Sequence, residues 1–379
     1  METALKENEV SKKTTRALID CDVHPYLDDF NEIVPYLSKE VSEGVQRHMN
    51  IGKFQKKMLE DMNAGAFTFP KARYYNPNHV LRMDAITPDG GVPGSDPVFT
   101  VKDLFDRHHH TYGILNIGHG SMAGYHNIEI AAGYISASND WLYDRWVESD
   151  QRFKMTMSVT PLAPDLAIKE IQRIGHKPGI AGINLQTINI PLGKRHFWPI
   201  YEVAQEYKLP IVLHPDTEGT SEYAPPGAVG PASTYAEWHT TLSLIAQRNI
   251  MSLACEGVFE KFPDLKFNFI EYGFAWIPAL MWRLDKNWKA LRSEIPWVKE
   301  LPSEYIRKNV RLGTQPIEES FRPKDIVELV KMAKAEDMLL FASDYPHWDG
   351  DESDRAFLHF PEDLKQKIFY DNAKNSYRL

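Results

Sequence analysis

The chain has only two cysteines among its 379 residues, Cys21 and Cys255. Two isolated thiols provide neither a disulfide framework nor a Cys-x-x-Cys zinc motif. Apolar runs long enough to cross a bilayer are also missing, and so is the apolar core of a secretory signal peptide. These absences predict a cytoplasmic protein that has no membrane partner.

Positive charge is also in short supply. The chain has 43 Lys and Arg against 52 Asp and Glu, which gives a net charge of -9 and a pI near 5.9. This balance argues against nucleic acid or an anionic membrane surface as the main partner. The sequence contains no Gly-rich phosphate loop, serine-nucleophile motif or nucleotide fingerprint. A small-molecule site built from other groups is therefore expected.

Short apolar segments of the sequence repeatedly end in an acid or an imidazole. Two side chains that are two positions apart on a strand project to the same side, so Asp22 and His24 can both ligate one divalent cation. Taken alone, this pair is better explained as a buried core imidazole beside a turn-forming acid. Three later segments repeat the pattern, which favours a metal site. The residues at these segment ends are Asp22, His24, His214, Glu271 and Asp344.

Predicted strands and helices alternate regularly from about residue 112 onwards. Eight strands that alternate with helices are typical of an α/β fold of the (β/α)8 or TIM-barrel class, rather than of an open sheet. In that class the carboxyl ends of all strands open on one face, where the acids and imidazoles would meet. The sequence predicts a single barrel domain over residues 17–379 and a flexible tail over residues 1–16.

A long stretch at about residues 26–106 interrupts the alternation after the first strand. Insertions of this size usually cap a pocket or build a subunit contact, so we predict a capping insertion and an oligomer. The run from His108 to His110 follows it. Consecutive residues on a helix face different ways, which predicts that these imidazoles lie at a surface or an interface.

Four segments of the sequence resemble the amidohydrolase-related barrels, also called amidohydrolase 2. They are residues 22–25 (Asp-Val-His-Pro), 214–216 (His-Pro-Asp), 257–265 and 343–347 (Ser-Asp-Tyr-Pro-His). The resemblance runs from the first strand to the last helix. It implies a decarboxylase or a hydrolase whose metal ligands are Asp22, His24, His214 and Asp344.

The sixth strand departs from this family pattern. Decarboxylase and hydrolase members usually carry His-Gly-Gly there, whereas this chain has Glu271-Tyr272-Gly273. Three carboxylates at one site repel each other unless cations or protons neutralise them, and they suit iron or manganese. The pattern resembles an oxygen-using branch that contains 2-aminoisobutyrate hydroxylase. We therefore expect one or two Fe or Mn ions, with Zn as an alternative, and O2-dependent hydroxylation of a small carboxylate or amino acid.

Individual residues allow more than one interpretation. Glu271 either ligates metal or orients a neighbouring imidazole, and His239 either reaches the pocket or caps its helix. Gln315 either binds a substrate carboxylate or closes a loop as a buried amide. We expect catalytic roles for Asp344, Glu271 and His239, and substrate contacts from His119, Gln315 and His347.

Two other functions are compatible with the sequence. Hydrolysis or non-oxidative decarboxylation would use a metal-bound water or a Lewis-acid metal, with Asp344 as the base. A non-catalytic barrel subunit would instead support an active relative and retain its metal for structure. We accordingly expect a homo-oligomer or a hetero-oligomer with a related barrel chain.

Overall fold

The computed structural model describes residues 17–45, 80–117, 127–215 and 232–379. The predicted tail, the centre of the predicted insertion and His119 lie outside these residues. The capping role of the insertion therefore stays a prediction. None of the helices in the described ranges combines the length and the apolar composition that crossing a membrane requires.

Eight parallel strands form one sheet whose order in space follows their order in the chain. A parallel bridge joins Val23 to Tyr345, and the Cys21 amide donates to the Phe341 carbonyl oxygen at 2.9 Å. These contacts bring the first and last strands together and nearly close the predicted (β/α)8 barrel. The strands are β1 Leu18–Val23, β2 His110–Leu115, β3 Phe153–Val159, β4 Ile180–Leu185, β5 Ile211–Leu213, β6 Phe267–Phe269, β7 Val310–Gly313 and β8 Leu339–Leu340.

Helices pack around the outside of the sheet. The helix Pro164–Ile174 begins with a proline, and in the first turn the missing N–H of proline costs no hydrogen bond. Ala167, Ile171 and Ile174 recur at helical spacing and are all buried on one face. The helices are α1 Pro97–Thr100, α2 Ile128–Leu142, α3 Pro164–Ile174, α4 Trp198–Tyr207, α5 Tyr235–Cys255, α6 Val258–Lys261, α7 Ile277–Leu291, α8 Pro302–Asn309, α9 Lys324–Ala333, α10 Glu362–Gln366 and α11 Asn372–Tyr377.

Shorter helical turns join or extend these elements. Wider π-helical turns at Val101–Asp106, Tyr143–Val147 and Lys367–Asp371 continue α1, α2 and α10. Single 3-10 turns lie at Phe30–Glu32, Val34–Tyr36, Met83–Ala85 and Arg195–Phe197. Residues 362–377 therefore form one continuous helical segment that contains a wide turn.

A small apolar cluster fills the interior of the barrel. It draws side chains from, or just after, six different strands, and such side chains can meet only inside the barrel. Ala373 and Tyr377 of α11 pack on this cluster, so the last helix closes one end of the barrel. The strand residues of the cluster are Ile19, Cys21, Ile114, Ala181, Val212, Ile270 and Leu340.

His110 does not lie at the surface as predicted. It is the first residue of β2, only 5% exposed, and its ring stacks on Phe105 with centroids 5.3 Å apart. Its Nε2 lies 3.2 Å from Asp20 Oδ2. The prediction fails because His109 adopts a left-handed backbone with φ 57°, which ends the helix and begins the strand one residue later.

We expect Tyr377→Ala to lower the free energy of unfolding by about 3–5 kcal/mol, because it removes a buried ring and leaves a cavity. Tyr377→Phe keeps the ring and is the matched control, with an expected change below about 1.5 kcal/mol. Urea denaturation followed by circular dichroism measures both. Equal stability of the two variants would contradict the closing role of α11.

Candidate metal centre

Four buried side chains meet at the carboxyl ends of three strands. Asp22 lies at the end of β1 and His24 just after it, His214 follows β5, and Asp344 follows β8. Their potential ligand atoms all lie within 4.8 Å of one another, and none of the four residues is more than 9% exposed. The cluster offers two carboxylates and two imidazoles, a donor set that fits a divalent cation.

The polar atoms of this cluster are close together without being hydrogen-bonded to each other. His24 Nε2 lies 3.2 Å from Asp22 Oδ1 and 3.0 Å from Asp344 Oδ1, and His214 Nε2 lies 3.3 Å from Asp22 Oδ2. Both Nε2 atoms and Asp22 Oδ2 are nevertheless buried without a hydrogen-bond partner. Two ligands about 2.1 Å from a cation lie roughly 3.0–3.4 Å apart at ordinary coordination angles. The spacing is therefore that of atoms directed at a common point.

Backbone carbonyl groups fix the two imidazoles of the cluster. His24 Nδ1 lies 2.9 Å from the Asn116 carbonyl oxygen, and His214 Nδ1 lies 2.6 Å from the Pro215 carbonyl oxygen. When Nδ1 donates to these oxygens, each neutral ring presents Nε2 as a lone-pair donor to the cluster. The imidazoles are thus oriented for metal binding by the main chain.

Asn116 is a candidate site residue that the sequence analysis missed. It follows β2, is 1% exposed, and donates from Nδ2 to Asp22 Oδ1 at 2.8 Å and to the Cys21 carbonyl oxygen at 3.0 Å. Its own Oδ1 accepts a hydrogen bond from the Thr156 hydroxyl at 2.7 Å. A single amide at the end of a buried apolar strand is the signal that identifies such a residue, because buried polar groups need partners.

Asp344 is held by side chains from two loops. Gln315, which is fully buried, donates from Nε2 to Asp344 Oδ2 at 3.0 Å. His347 Nδ1 lies 2.5 Å from Asp344 Oδ1, and its Nε2 lies 2.7 Å from the Tyr26 hydroxyl. The His347 ring also stacks on His24 with centroids 4.4 Å apart. The contacts of Gln315 and His347 are thus with Asp344, and their roles in substrate binding stay predictions.

Glu271 and His239 lie beside the four-residue cluster. Glu271 Oε2 lies 3.0 Å from His214 Nε2, and its other oxygen lies 3.5 Å from His239 Nε2. His239 Nε2 also lies 3.2 Å from Oδ2 of Asp349, an acid that the sequence analysis did not select. Of the two interpretations of His239, the structure favours the pocket, because the Thr234 side chain caps α5.

The concentration of acids changes the pKa values of the imidazoles. Burial lowers the pKa of His24, but the carboxylates of Asp22 and Asp344 outweigh it and raise that pKa to about 10. Burial likewise opposes the carboxylates beside His239, whose pKa is raised to about 10. The pKa of Asp22 is held well below its usual range, against burial, by His24 and His214. Positive charge therefore stabilises the buried carboxylates. A divalent cation would supply it while leaving the imidazoles neutral.

A family model described as amidohydrolase matches residues 19–379 of the chain. The chain belongs to the amidohydrolase family. The match confirms the resemblance that the strand-end motifs indicate, and it extends from the second residue of β1 through α11. Membership in this family supports an enzyme and agrees with a divalent-metal site at the strand ends.

Several relatives of this amidohydrolase-family chain are named decarboxylases. Gamma-resorcylate decarboxylase of Polaromonas sp. is 24% identical over 258 residues, which cover 64% of this chain and 75% of the relative. The solved structure of 5-carboxyvanillate decarboxylase from Novosphingobium aromaticivorans, with manganese and 4-hydroxy-3-methoxy-5-nitrobenzoic acid, has a TM-score of 0.67 at 18% identity and covers 96% of each chain. Dihydroxybenzoic acid decarboxylase from Polaromonas sp., with manganese and 2-nitroresorcinol, has a TM-score of 0.62 at 17% identity and covers 96% of this chain and 97% of its own.

These relatives overturn the expected O2-dependent hydroxylation. The expectation used Glu271, in place of the usual His, as a sign of redox chemistry, and it is wrong because the relatives are decarboxylases. O2 as a partner and iron as the metal have no support from them. In physical terms, an additional carboxylate changes how much positive charge a site needs, and redox-inactive cations or protons supply that charge equally well.

We expect Asn116→Ala to weaken Mn²⁺ binding by about 10–100-fold, because Asp22 loses the amide that orients it. Asn309→Ala is the matched control, since Asn309 is an equally buried amide that donates to the Pro263 and Leu265 carbonyl oxygens. The control should keep the Mn²⁺ affinity of the unchanged chain. Titration calorimetry with Mn²⁺ compares the three proteins, and an unchanged affinity in Asn116→Ala would remove it from the site.

Proposed function

We propose that this amidohydrolase-family chain is a metal-dependent, non-oxidative decarboxylase of a small carboxylic acid. The observation that carries the proposal is the buried cluster of Asp22, His24, His214 and Asp344, whose donor atoms converge on a common point at the strand ends. The named relatives support this reaction class, and they favour hydroxylated aromatic acids as the first substrates to test.

The four residues of the cluster would hold one divalent cation. Carboxylate and imidazole donors accept Mn²⁺, Zn²⁺ or Fe²⁺, and the manganese in two related structures favours Mn²⁺. Such a cation supplies Lewis-acid stabilisation of negative charge on substrate oxygens. Its selection among these metals would also depend on cellular supply, because affinity order alone does not decide it.

Non-oxidative decarboxylation breaks one carbon–carbon bond and leaves its electron pair on the carbon that loses CO2. That carbon must then take a proton, so the site needs an acid beside the substrate. We assign this role to Asp344, which is the cluster carboxylate in contact with an imidazole from outside the cluster, that of His347. His347 Nδ1 lies 2.5 Å from Asp344 Oδ1 and can return a proton to it after each turnover.

The contacts of His347 extend the proton path outward. Its Nε2 lies 2.7 Å from the Tyr26 hydroxyl, and Tyr26 is partly exposed. A proton could therefore move from the Tyr26 side through the imidazole to Asp344. Gln315 holds the other oxygen of Asp344 at 3.0 Å, which fixes the direction of the carboxyl group. In this proposal Asp344 is an oriented acid that regains its proton through His347 after each turnover, as repeated protonation of carbon requires.

We expect the Mn²⁺-loaded protein to release CO2 from at least one of gamma-resorcylate, 5-carboxyvanillate and related hydroxybenzoates, at the same rate with and without O2. Asp344→Asn should lower kcat by about 10²–10⁴-fold, because the proton donor is lost. Asp140→Asn, which changes an acid paired with Arg173 away from the cluster, is the matched control and should keep full activity. Direct measurement of CO2 tests this. Fully loaded protein that releases no CO2 from any of these acids would contradict the proposal.

A further inference from the structure

Two basic side chains meet at the amino ends of β6 and β7, on the face of the barrel opposite to the four-residue cluster. Lys266 immediately precedes β6, and Arg311 is the second residue of the parallel strand β7. The Lys308 carbonyl oxygen accepts a hydrogen bond from each of them, at 2.9 Å from Lys266 Nζ and at 3.3 Å from Arg311 Nη1. Two donors that share one acceptor are close neighbours, so the fold holds two positive charges together although like charges repel.

Arg311 is buried without the carboxylate that usually accompanies a buried guanidinium. It is only 6% exposed, and its Nε is buried with no hydrogen-bond partner. Its Nη1 donates to the carbonyl oxygens of Arg307, Lys308 and Val310, at 3.2, 3.3 and 2.8 Å. Buried cations are rarely left unpaired, because burial removes the water that would solvate them. An anion beside Nε would supply both the missing acceptor and the missing charge.

The acids that act on this pair from a distance do not neutralise it. Asp337 favours the charged form of Arg311, but it is itself paired with Lys367 at 2.7 Å. Asp264, which favours the charged form of Lys266, is exposed to solvent. Within the part of the chain that the structure describes, neither basic side chain forms an ion pair with a carboxylate.

The surroundings of the pair disfavour positive charge on both side chains. Burial, and then the cations of Arg311, Lys308 and Arg378, lower the pKa of Lys266 to about 8. Burial also lowers the pKa of Arg311 to about 10. A bound anion would reverse this effect, because an opposite charge nearby favours the charged form of a base.

We propose that Lys266 and Arg311 form a binding site for a small, doubly charged oxyanion such as inorganic phosphate. A guanidinium presents its N–H donors in a fixed geometry that matches phosphate oxygens, and an ammonium adds a compact charge with three donors. Several oxygens on one anion can accept from Arg311 Nε and Lys266 Nζ together. Lys266 is only partly buried, which leaves the site open to solvent. The site lies away from the metal centre, and it does not depend on the proposed decarboxylation.

Sulfate is the probe for the test, because it has the shape and charge of the phosphate dianion but does not titrate near neutral pH. Titration calorimetry at pH 8, with the ionic strength held constant by chloride, should show saturable binding of one sulfate per chain. Proton uptake should accompany binding, because the anion raises the pKa of Lys266 from about 8. Titrations in two buffers that differ in ionisation enthalpy measure this uptake.

Lys266→Met should weaken sulfate binding by about 10–100-fold and abolish the proton uptake, because a charged donor is lost. Lys154→Met is the matched control. Lys154 is also a partly buried lysine near the amino end of a strand, and it donates to the Gln151 carbonyl oxygen at 2.7 Å, but it has the Asp150 carboxylate nearby. This control should keep both the affinity and the proton uptake, and circular dichroism checks that both variants are folded.

Inorganic phosphate should displace the bound sulfate, whereas acetate at the same ionic strength should not. Displacement by acetate as readily as by phosphate would overturn the assignment to a doubly charged oxyanion. The site itself would be overturned if sulfate showed no saturable binding to the unchanged chain, if it bound without proton uptake, or if Lys266→Met bound it equally well.

Discussion

Buried negative charge is the constraint on which this structure depends. Carboxylates that share a water-poor pocket repel each other, and burial removes the solvent that would screen them. Neighbouring side chains reduce this repulsion in two ways. Donor groups such as the Asn116 amide and the Gln315 amide each stabilise one carboxylate oxygen, and the imidazoles approach the remaining oxygens. Positive charge is still required, and that requirement is what makes the pocket a binding site for cations.

The barrel and most of the site could be predicted from the sequence, because the two are linked by topology. Parallel strands with alternating helices place the carboxyl ends of all strands on one face of the barrel. The position of an acid or imidazole at a strand end can therefore be predicted from the order of strands and helices alone. Asp22, His214 and Asp344 follow this rule, and the structure brings them together. Asp349 does not follow it, because it lies in a loop where no periodic pattern specifies direction. Asn116 does end a strand, but a buried amide is common in ordinary hydrogen-bond networks, so its residue type alone does not indicate a metal site.

Two expectations failed for identifiable reasons. His110 is buried because a single residue with a positive φ, His109, changes the direction of the chain. The pattern of apolar and polar residues along the sequence does not reveal the sign of a backbone angle. The prediction of hydroxylation failed because it inferred a reaction from the types of metal ligand. Ligand type restricts the class of metal, whereas the reaction depends on where the substrate binds and which group moves a proton. The presence of Glu271 in place of the usual His therefore indicates how much negative charge the site carries. It does not indicate redox chemistry.

The packing of Tyr377 against Ile19 and Cys21 has a consequence for the order of assembly. The Ser343 amide also donates to Asp20, across a sequence separation of 323 residues. Contacts this distant cannot form on a growing chain until residues 343 and 377 respectively have left the ribosome, and closing such long loops is slow. The strand that carries Asp22 is synthesised before the other barrel strands, yet it is held in place by a residue 323 positions later in the chain. Cation binding should accordingly report on the completed barrel, since partly folded chains would lack the geometry that brings the acids together.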